Sequence, residues 1–158
     1  MAERQPTWDN VVVGQELPPL PKVATTQALV QFAGASGDFA PHHFDSKLAE
    51  AWFPGTGVIV HGALKAAWLG QYLTQWAGPQ GRLRQLSTQD RGMDAPRHML
   101  NAHQAEEGQT WRCMGTVVAK RIEGELALVD LVVWVENGAG ERTTRGEATV
   151  ALPGGAMS

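Results

Sequence analysis

One short stretch, FAGASGDFAPHHFD at residues 32–45, carries Asp38, His42, His43 and Asp45 close together. An imidazole changes charge near neutral pH, so a carboxylate and an imidazole facing one cavity can hold a single water as base and acid. An Asp and a His joined by a short, stiffened loop can meet that requirement. Gly34 and Gly37 end any helix begun at Gln27, because glycine loses the most entropy in a helix and readily takes the left-handed cap conformation. Pro41 fixes its own φ and pushes Ala40 towards extended backbone, which predicts a stiffened, non-helical loop between Asp38 and His43. The same four residues could in principle ligate a metal, but adjacent histidines on an extended segment point apart. No second His/Cys cluster has ligand spacing, so no metal is expected. Asp45 has a second reading as the N-cap of a helix opening at Ser46.

Those residues need elements to position them. Thr26 is a plausible N-cap for QALVQFAGA, whose Leu29, Phe32 and Ala33 share a face at helical spacing and deliver Asp38 to the loop. SKLAEAW reads as a further short helix, ended by Pro54 and Gly55. A long helix is predicted over 62–77, with Ala63, Ala66, Leu69, Leu73, Trp76 and Ala77 turned to a sheet and Trp68 and Tyr72 emerging beside Lys65, Gln71 and Gln75. It has no clean polar face, so a second element or subunit is expected to cover its Trp68 side. Its one charged residue is Lys65, so it supplies no catalytic carboxylate.

From Gln109 the apolar period changes to two. TWRCMGTVVAKRI, ELALVDLVVWVEN and ERTTRGEATVAL predict a three-stranded antiparallel meander, turning at Glu123 and Gly124 and again at 137–140. The middle strand is apolar on both faces, which predicts a helix on one side and a partner, such as a second protomer, on the other. Residues 11–13 read as a short strand, 16–21 as an irregular entry because Pro18, Pro19 and Pro21 remove ladder donors, and 82–103 has no readable period.

With 158 residues and 43% apolar content, the chain predicts one α+β domain, 1–158, with an ordered core over about 11–153 and a loose tail at 154–158. A formal charge of −3, from 13 basic and 16 acidic residues, gives no electrostatic footprint for nucleic acid or an anionic membrane. One cysteine, Cys113, no basic and apolar leader in MAERQPTWDN and no membrane-length apolar run together predict a cytoplasmic protein.

The loop resembles the signature of the MaoC-like, or (R)-specific enoyl-CoA hydratase, family, which reads approximately S-G-D-x-N-P-[IL]-H-x-D. Ser36, Gly37, Asp38, Pro41, His43 and Asp45 match it, while Ala40 stands where the family has Asn and His42 where it has an aliphatic residue. A second family element, a small apolar run ending in His-Gly before a long helix, resembles VIVHGALKAAWLGQYL at 58–73. The resemblance implies a hotdog fold, an antiparallel sheet wrapped around a long central helix. It also implies reversible hydration of a trans-2-enoyl-CoA thioester to a 3-hydroxyacyl-CoA of (R) configuration, without metal or coenzyme.

On that implication Asp38 and His43 serve the attacking water, and the amide of Gly62, at a helix start, serves charge on the thioester oxygen. Gly62 is equally readable as a close-packing glycine, and His61 as a packed, hydrogen-bonded side chain. Arg82, Arg84, Arg91 and Arg97 are candidates for the CoA phosphates, or for solvated surface. A homodimer or dimer of dimers is expected, with acyl-CoA as the small-molecule partner. The alternatives are a hotdog acyl-CoA thioesterase, against which the carboxylate-free central helix counts, and a non-catalytic subunit of a hetero-oligomeric hydratase.

Overall fold

The computed structural model describes residues 5–155. In chain order it contains β1 (Leu20–Lys22), α1 (Thr26–Ser36), a 3-10 turn (Pro41–His43), α2 (Ser46–Trp52), α3 (Gly62–Ala77), β2 (Arg82–Asp90), β3 (Met99–Asn101), β4 (Gln104–Ala105), β5 (Trp111–Glu123), β6 (Leu126–Glu136) and β7 (Arg142–Ala151). The five-stranded sheet has the order β1-β5-β6-β7-β2, and β3 and β4 form a separate small ribbon. This is the hotdog arrangement, with α3 in the curl of an antiparallel sheet.

The meander forms because period-two apolar runs each end at residues suited to tight turns. Cys113 lies opposite Val135, and Val135 opposite Thr144, so the inward residues of β5, β6 and β7 stand in register. Val117, Val129, Leu131, Val133, Val135 and Val150 join Leu69 and Leu73 of α3 in one core. The outer face of β6 is less covered than the sequence predicts, since Leu126 and Val132 are exposed.

Three expectations for the N-terminal third are corrected. Residues 11–13 are not a strand; Val11 enters the core directly and the chain turns at Gly14, whose φ is 87°. The proline-rich entry supplies β1, which pairs only with β5, and Pro21 is tolerated there because an edge strand needs fewer donors. Pro41 opens a 3-10 turn instead of keeping the loop wholly non-helical, since the first helical position needs no N–H. Helix α1 is capped one residue earlier than expected, by Thr25, whose side chain accepts from the Ala28 N–H; it runs on through Gly34, which was expected to end it, and stops in the left-handed Gly37.

The tail expectation is also corrected in part. Gly155 donates its N–H to the Asp9 carboxylate and Trp8 donates to the Pro153 carbonyl, so the chain stays tied to the body through Gly155. Residues 156–158 lie outside the described residues. Unpredicted β2 is an edge strand whose Leu83 and Leu86 alone pack on the core, so too few apolar residues repeat to mark it.

Helix α3 buries Leu69, Leu73 and Ala77 as expected, but it is rotated so that the Trp68 and Tyr72 side is buried as well and Ala63 is not. Lys65, Trp68, Leu69, Tyr72, Leu73 and Ala77 are buried, while Ala63 and Ala67 are exposed. Trp68 and Tyr72 therefore fill the chain's own core, and Trp68 packs on Trp111. The rotation is stabilised by a partner that the helix sequence alone does not reveal. Lys65, 1% exposed, donates to the equally buried carboxylate of Asp94 at 3.2 Å and to the Gly92 carbonyl at 3.0 Å. Asp94 also accepts from Thr143 at 2.6 Å and from Asn137 at 3.3 Å.

Removing one member of such a pair strands the other's charge, at a cost of about 3–5 kcal/mol. Lys65→Met is expected to destabilise the protein by about that much in urea unfolding. Lys65→Met combined with Asp94→Asn is expected to cost less than the sum of the single changes, because neither charge is then left alone.

Candidate active site

The cluster is assembled from two segments that meet side by side. Helix α1 ends at Gly37, and Ser36 bridges the exit, donating its hydroxyl to the Phe32 carbonyl and accepting from the Asp38 N–H. The Asp38 carboxylate accepts from the Ala40 N–H at 3.3 Å through Oδ1, an Asx-type turn that points the side chain back across the loop. The 3-10 turn then places His43 inward, 6% exposed. The segment before α3 lies alongside: the Ile59 N–H donates to the His42 carbonyl, and His43 Nδ1 lies 2.8 Å from the Ile59 carbonyl. A carbonyl only accepts, so Nδ1 carries the proton and Nε2 of neutral His43 bears the free lone pair.

The same segment brings His61, which is fully buried. Its ring stacks on that of His43, with centroids 3.6 Å apart and planes 18° from parallel, and Phe32 meets its other side edge-on at 5.0 Å. His61 Nε2 is 3.3 Å from the main-chain carbonyl of Asp38, which makes Nε2 its protonated nitrogen, and Nδ1 is buried without a partner. Both imidazoles have pKa values below the ordinary histidine value of 6.5, chiefly because burial penalises their charged forms.

Among the described residues, Asp38, His43 and His61 are the group of three metal-ligating side chains whose atoms lie within 4.8 Å of one another. The stack fits a metal poorly, since an ion about 2 Å from one nitrogen in its ring plane lies well out of the plane of the other. The four residues of the sequence-based metal set do not converge. His42 turns towards Trp52 and Phe53, each 5.6 Å away, and Asp45 spends its carboxylate capping α2, accepting from the Lys47 and Leu48 N–H groups at 2.9 and 3.1 Å.

Gly62 is the first residue of α3, where the opening amides have no acceptor within the helix. A side chain there would collide with the carboxylate of Asp90, which accepts from Thr144 at 2.6 Å and lies 3.7 Å from Lys65. The close-packing role of this glycine is therefore visible.

The four arginines do not gather at the cluster. Arg82 and Arg84 lie exposed on edge strand β2, and Arg91 is exposed just beyond its end. Arg97 donates to the carbonyls of Gly108 and Gln109 at 2.5 and 3.0 Å and to the Thr110 hydroxyl at 2.9 Å, so it clamps its own chain. What the sequence reading missed is the stack: nothing in a His-Gly dipeptide says that its imidazole lies against one 18 residues earlier.

Among solved structures the chain is similar to the (R)-hydratase from A. caviae involved in PHA biosynthesis, with 24% identity, coverage of 91% of this chain and 98% of that one, and a TM-score of 0.74. It is similar also to the ChsH1-ChsH2 complex from Mycobacterium tuberculosis, with 22% identity, 89% and 98% coverage and a TM-score of 0.71. A MaoC-like dehydratase is 27% identical with a TM-score of 0.71; this chain is covered over 94% but spans only 42% of that longer chain. No curated protein matches significantly. The MaoC like domain model matches residues 10–93, more than half of the chain and the whole span from α1 through α3, so the chain belongs to the MaoC-like domain family.

Proposed function

We propose that the protein is a hydratase/dehydratase that adds water reversibly to a trans-2-enoyl-CoA thioester, giving an (R)-3-hydroxyacyl-CoA. The observation that carries the reading is the juxtaposition of the Asp38 carboxylate with an imidazole whose Nδ1–H is tied to the Ile59 carbonyl. That tie leaves Nε2 of His43 to accept a proton. A water held between Nε2 and the free oxygen of Asp38 attacks the β-carbon and loses a proton to Nε2, and the C=C π pair moves towards the thioester oxygen. The imidazolium, stabilised by the Asp38 carboxylate, returns that proton to the α-carbon on the same face, and the enolate collapses.

The developing enolate is assigned to the amide of Gly62, where a lost donor typically costs about 3 kcal/mol of transition-state stabilisation. Each charge the reaction develops has a protein partner in this scheme, so it needs no metal or coenzyme. Among the described residues no helix is long and apolar enough to cross a membrane, and the CoA ester is taken as a freely diffusing substrate. Of the four arginines, Arg82, Arg84 and Arg91 retain exposed positions for its phosphates.

We also propose that the unit works paired with a second hotdog unit. The buried Trp68 and Tyr72 no longer argue for this, but β2 presents a nine-residue free edge, and Val118 and Val132 are exposed on the outer sheet face. The ChsH1-ChsH2 complex and the longer MaoC-like dehydratase chain are consistent with pairing. Light scattering at micromolar concentration is expected to give a dimer or tetramer mass; a monomer mass overturns it. If the purified chain consumes no enoyl-CoA by itself but does so with a second hotdog subunit, the hetero-oligomeric reading replaces the self-sufficient one.

Asp38→Asn and His43→Gln are each expected to lower kcat for loss of the enoyl chromophore of crotonyl-CoA, or of a bulkier enoyl-CoA, by on the order of a hundredfold. The double variant is expected to be little worse than the poorer single one, because both residues act on one water. His42→Gln is the mild control, and wild-type turnover in Asp38→Asn sinks the assignment.

The pH dependence follows from burial. The base is His43 in its neutral form, and its pKa is lowered, so kcat/KM is expected to hold at neutral pH and to fall only below the ordinary histidine value of 6.5. An acid limb above 6.5 contradicts the assignment.

A further inference from the structure

We propose that His61 is a positioning residue for the Asp38–His43 pair, one imidazole that fixes the ring plane of His43 by stacking and the main chain of Asp38 by donating a hydrogen bond. The inference rests on the hydratase reading for its kinetic consequence, but the geometry behind it does not. His61 touches both members at once: its ring lies 3.6 Å from that of His43, and its Nε2 lies 3.3 Å from the Asp38 carbonyl. Its own carbonyl accepts from the Leu64 and Lys65 N–H groups and so starts α3, placing the Gly62 amide in the same rigid unit.

The choice of residue is informative because it is costly to bury. Nδ1 of His61 is a fully buried acceptor without a partner, a loss that phenylalanine or leucine in the same space would avoid. The ring is retained where only a flat side chain with one edge donor makes both contacts. The two carbonyls impose opposite tautomers on the stacked pair, Nδ1–H on His43 through Ile59 and Nε2–H on His61 through Asp38. Only His43 is thereby left with an Nε2 lone pair, the nitrogen assigned to the reacting water.

The stack also shields one face of His43 from water. The titratable groups bearing on His43 are Asp38 from the loop, His42 from its own turn and His61 from the start of α3. Of these Asp38 favours the charged ring and the two histidines oppose it, in the same direction as burial. Opening the face occupied by His61 therefore makes His43 easier to protonate.

The test uses the full chain and three readouts. In the wild type, ¹⁵N chemical shifts at neutral pH are expected to show both rings neutral, His43 as the Nδ1–H and His61 as the Nε2–H tautomer; the same tautomer on both overturns the proposal before any variant is made. In His61→Gln, which keeps a donor but loses the ring, the His43 titration followed by NMR is expected to move up towards 6.5. The acid limb of kcat/KM should move with it. In His61→Phe, which keeps the ring but loses the donor, the His43 titration is expected to stay near that of the wild type. Its kcat is expected to fall on the order of ten- to a hundredfold with little change in KM, the size a misplacement of about 1 Å produces.

Activity that tracks thermal stability alone across both variants, with an unmoved His43 titration in His61→Gln, shows His61 to be mere core filling and overturns the inference. If the wild type turns over no enoyl-CoA, the hydratase reading fails while the tautomer and titration measurements still decide the role of His61. If His61→Gln does not fold, the wild-type tautomers and His61→Phe decide it.

Discussion

The site depends on where α3 begins, and that point is fixed by the buried ion pair between Lys65 and Asp94. Lys65 sits one turn into the helix and Asp94 on the chain leaving β2, whose main-chain carbonyl accepts from the Val60 N–H at 2.8 Å. The pair therefore draws the 90–97 segment against both the helix and the strand-like approach to it. Thr143 and Asn137 extend the anchor to β7 and the turn before it. A hydrophobic replacement of similar volume could match the pair in stability, but an apolar contact slides, whereas a charged pair with named acceptors has one register. One residue of slip in α3 would carry His61 away from His43, so this anchor's value here lies in register.

A second constraint is the reciprocal tie at Ile59, which donates to the His42 carbonyl and accepts from His43. It converts the four-residue connection between Asp38 and His43 into a shape held from outside itself. The loop owes little to its own propensities: Pro41 forms a 3-10 turn, Asp45 is a helix cap, and His42 packs against Trp52 and Phe53. Each residue around His43 is committed to the backbone or to an aromatic neighbour. The Asp38 carboxylate places one oxygen in the Ala40 turn, and its other oxygen has no hydrogen bond among the described residues.

The β5–β6–β7 meander, the ends of α3 and the Asp38–His43 spacing were legible in the sequence because they depend on local periodicity and on glycine and proline rules. That α3 also buries its Lys65, Trp68 and Tyr72 side was not. Counting apolar residues placed Lys65 outside, and only a carboxylate 29 positions away makes its burial tolerable. Edge strand β2 was missed for a related reason, since Leu83 and Leu86 are too few to show a period. Arg97 read as a free cation because its acceptors are main-chain carbonyls at Gly108 and Gln109, which have no sequence signature. Local rules thus fixed the loop that carries Asp38 and His43, while non-local polar contacts decide what surrounds it.

The burial of the three clustered residues orders them from outside inwards. Asp38 is partly exposed, His43 is 6% exposed and His61 is fully buried. Solvent therefore reaches the carboxylate first, with the imidazole lone pair behind it and the second imidazole behind that. This order suits an addition in which the carboxylate receives the water and the ring takes its proton, because the ring is screened from bulk solvent that would otherwise protonate it. A fully buried Asp38 would have lost that access, and a fully exposed His43 would have lost the burial that lowers its pKa.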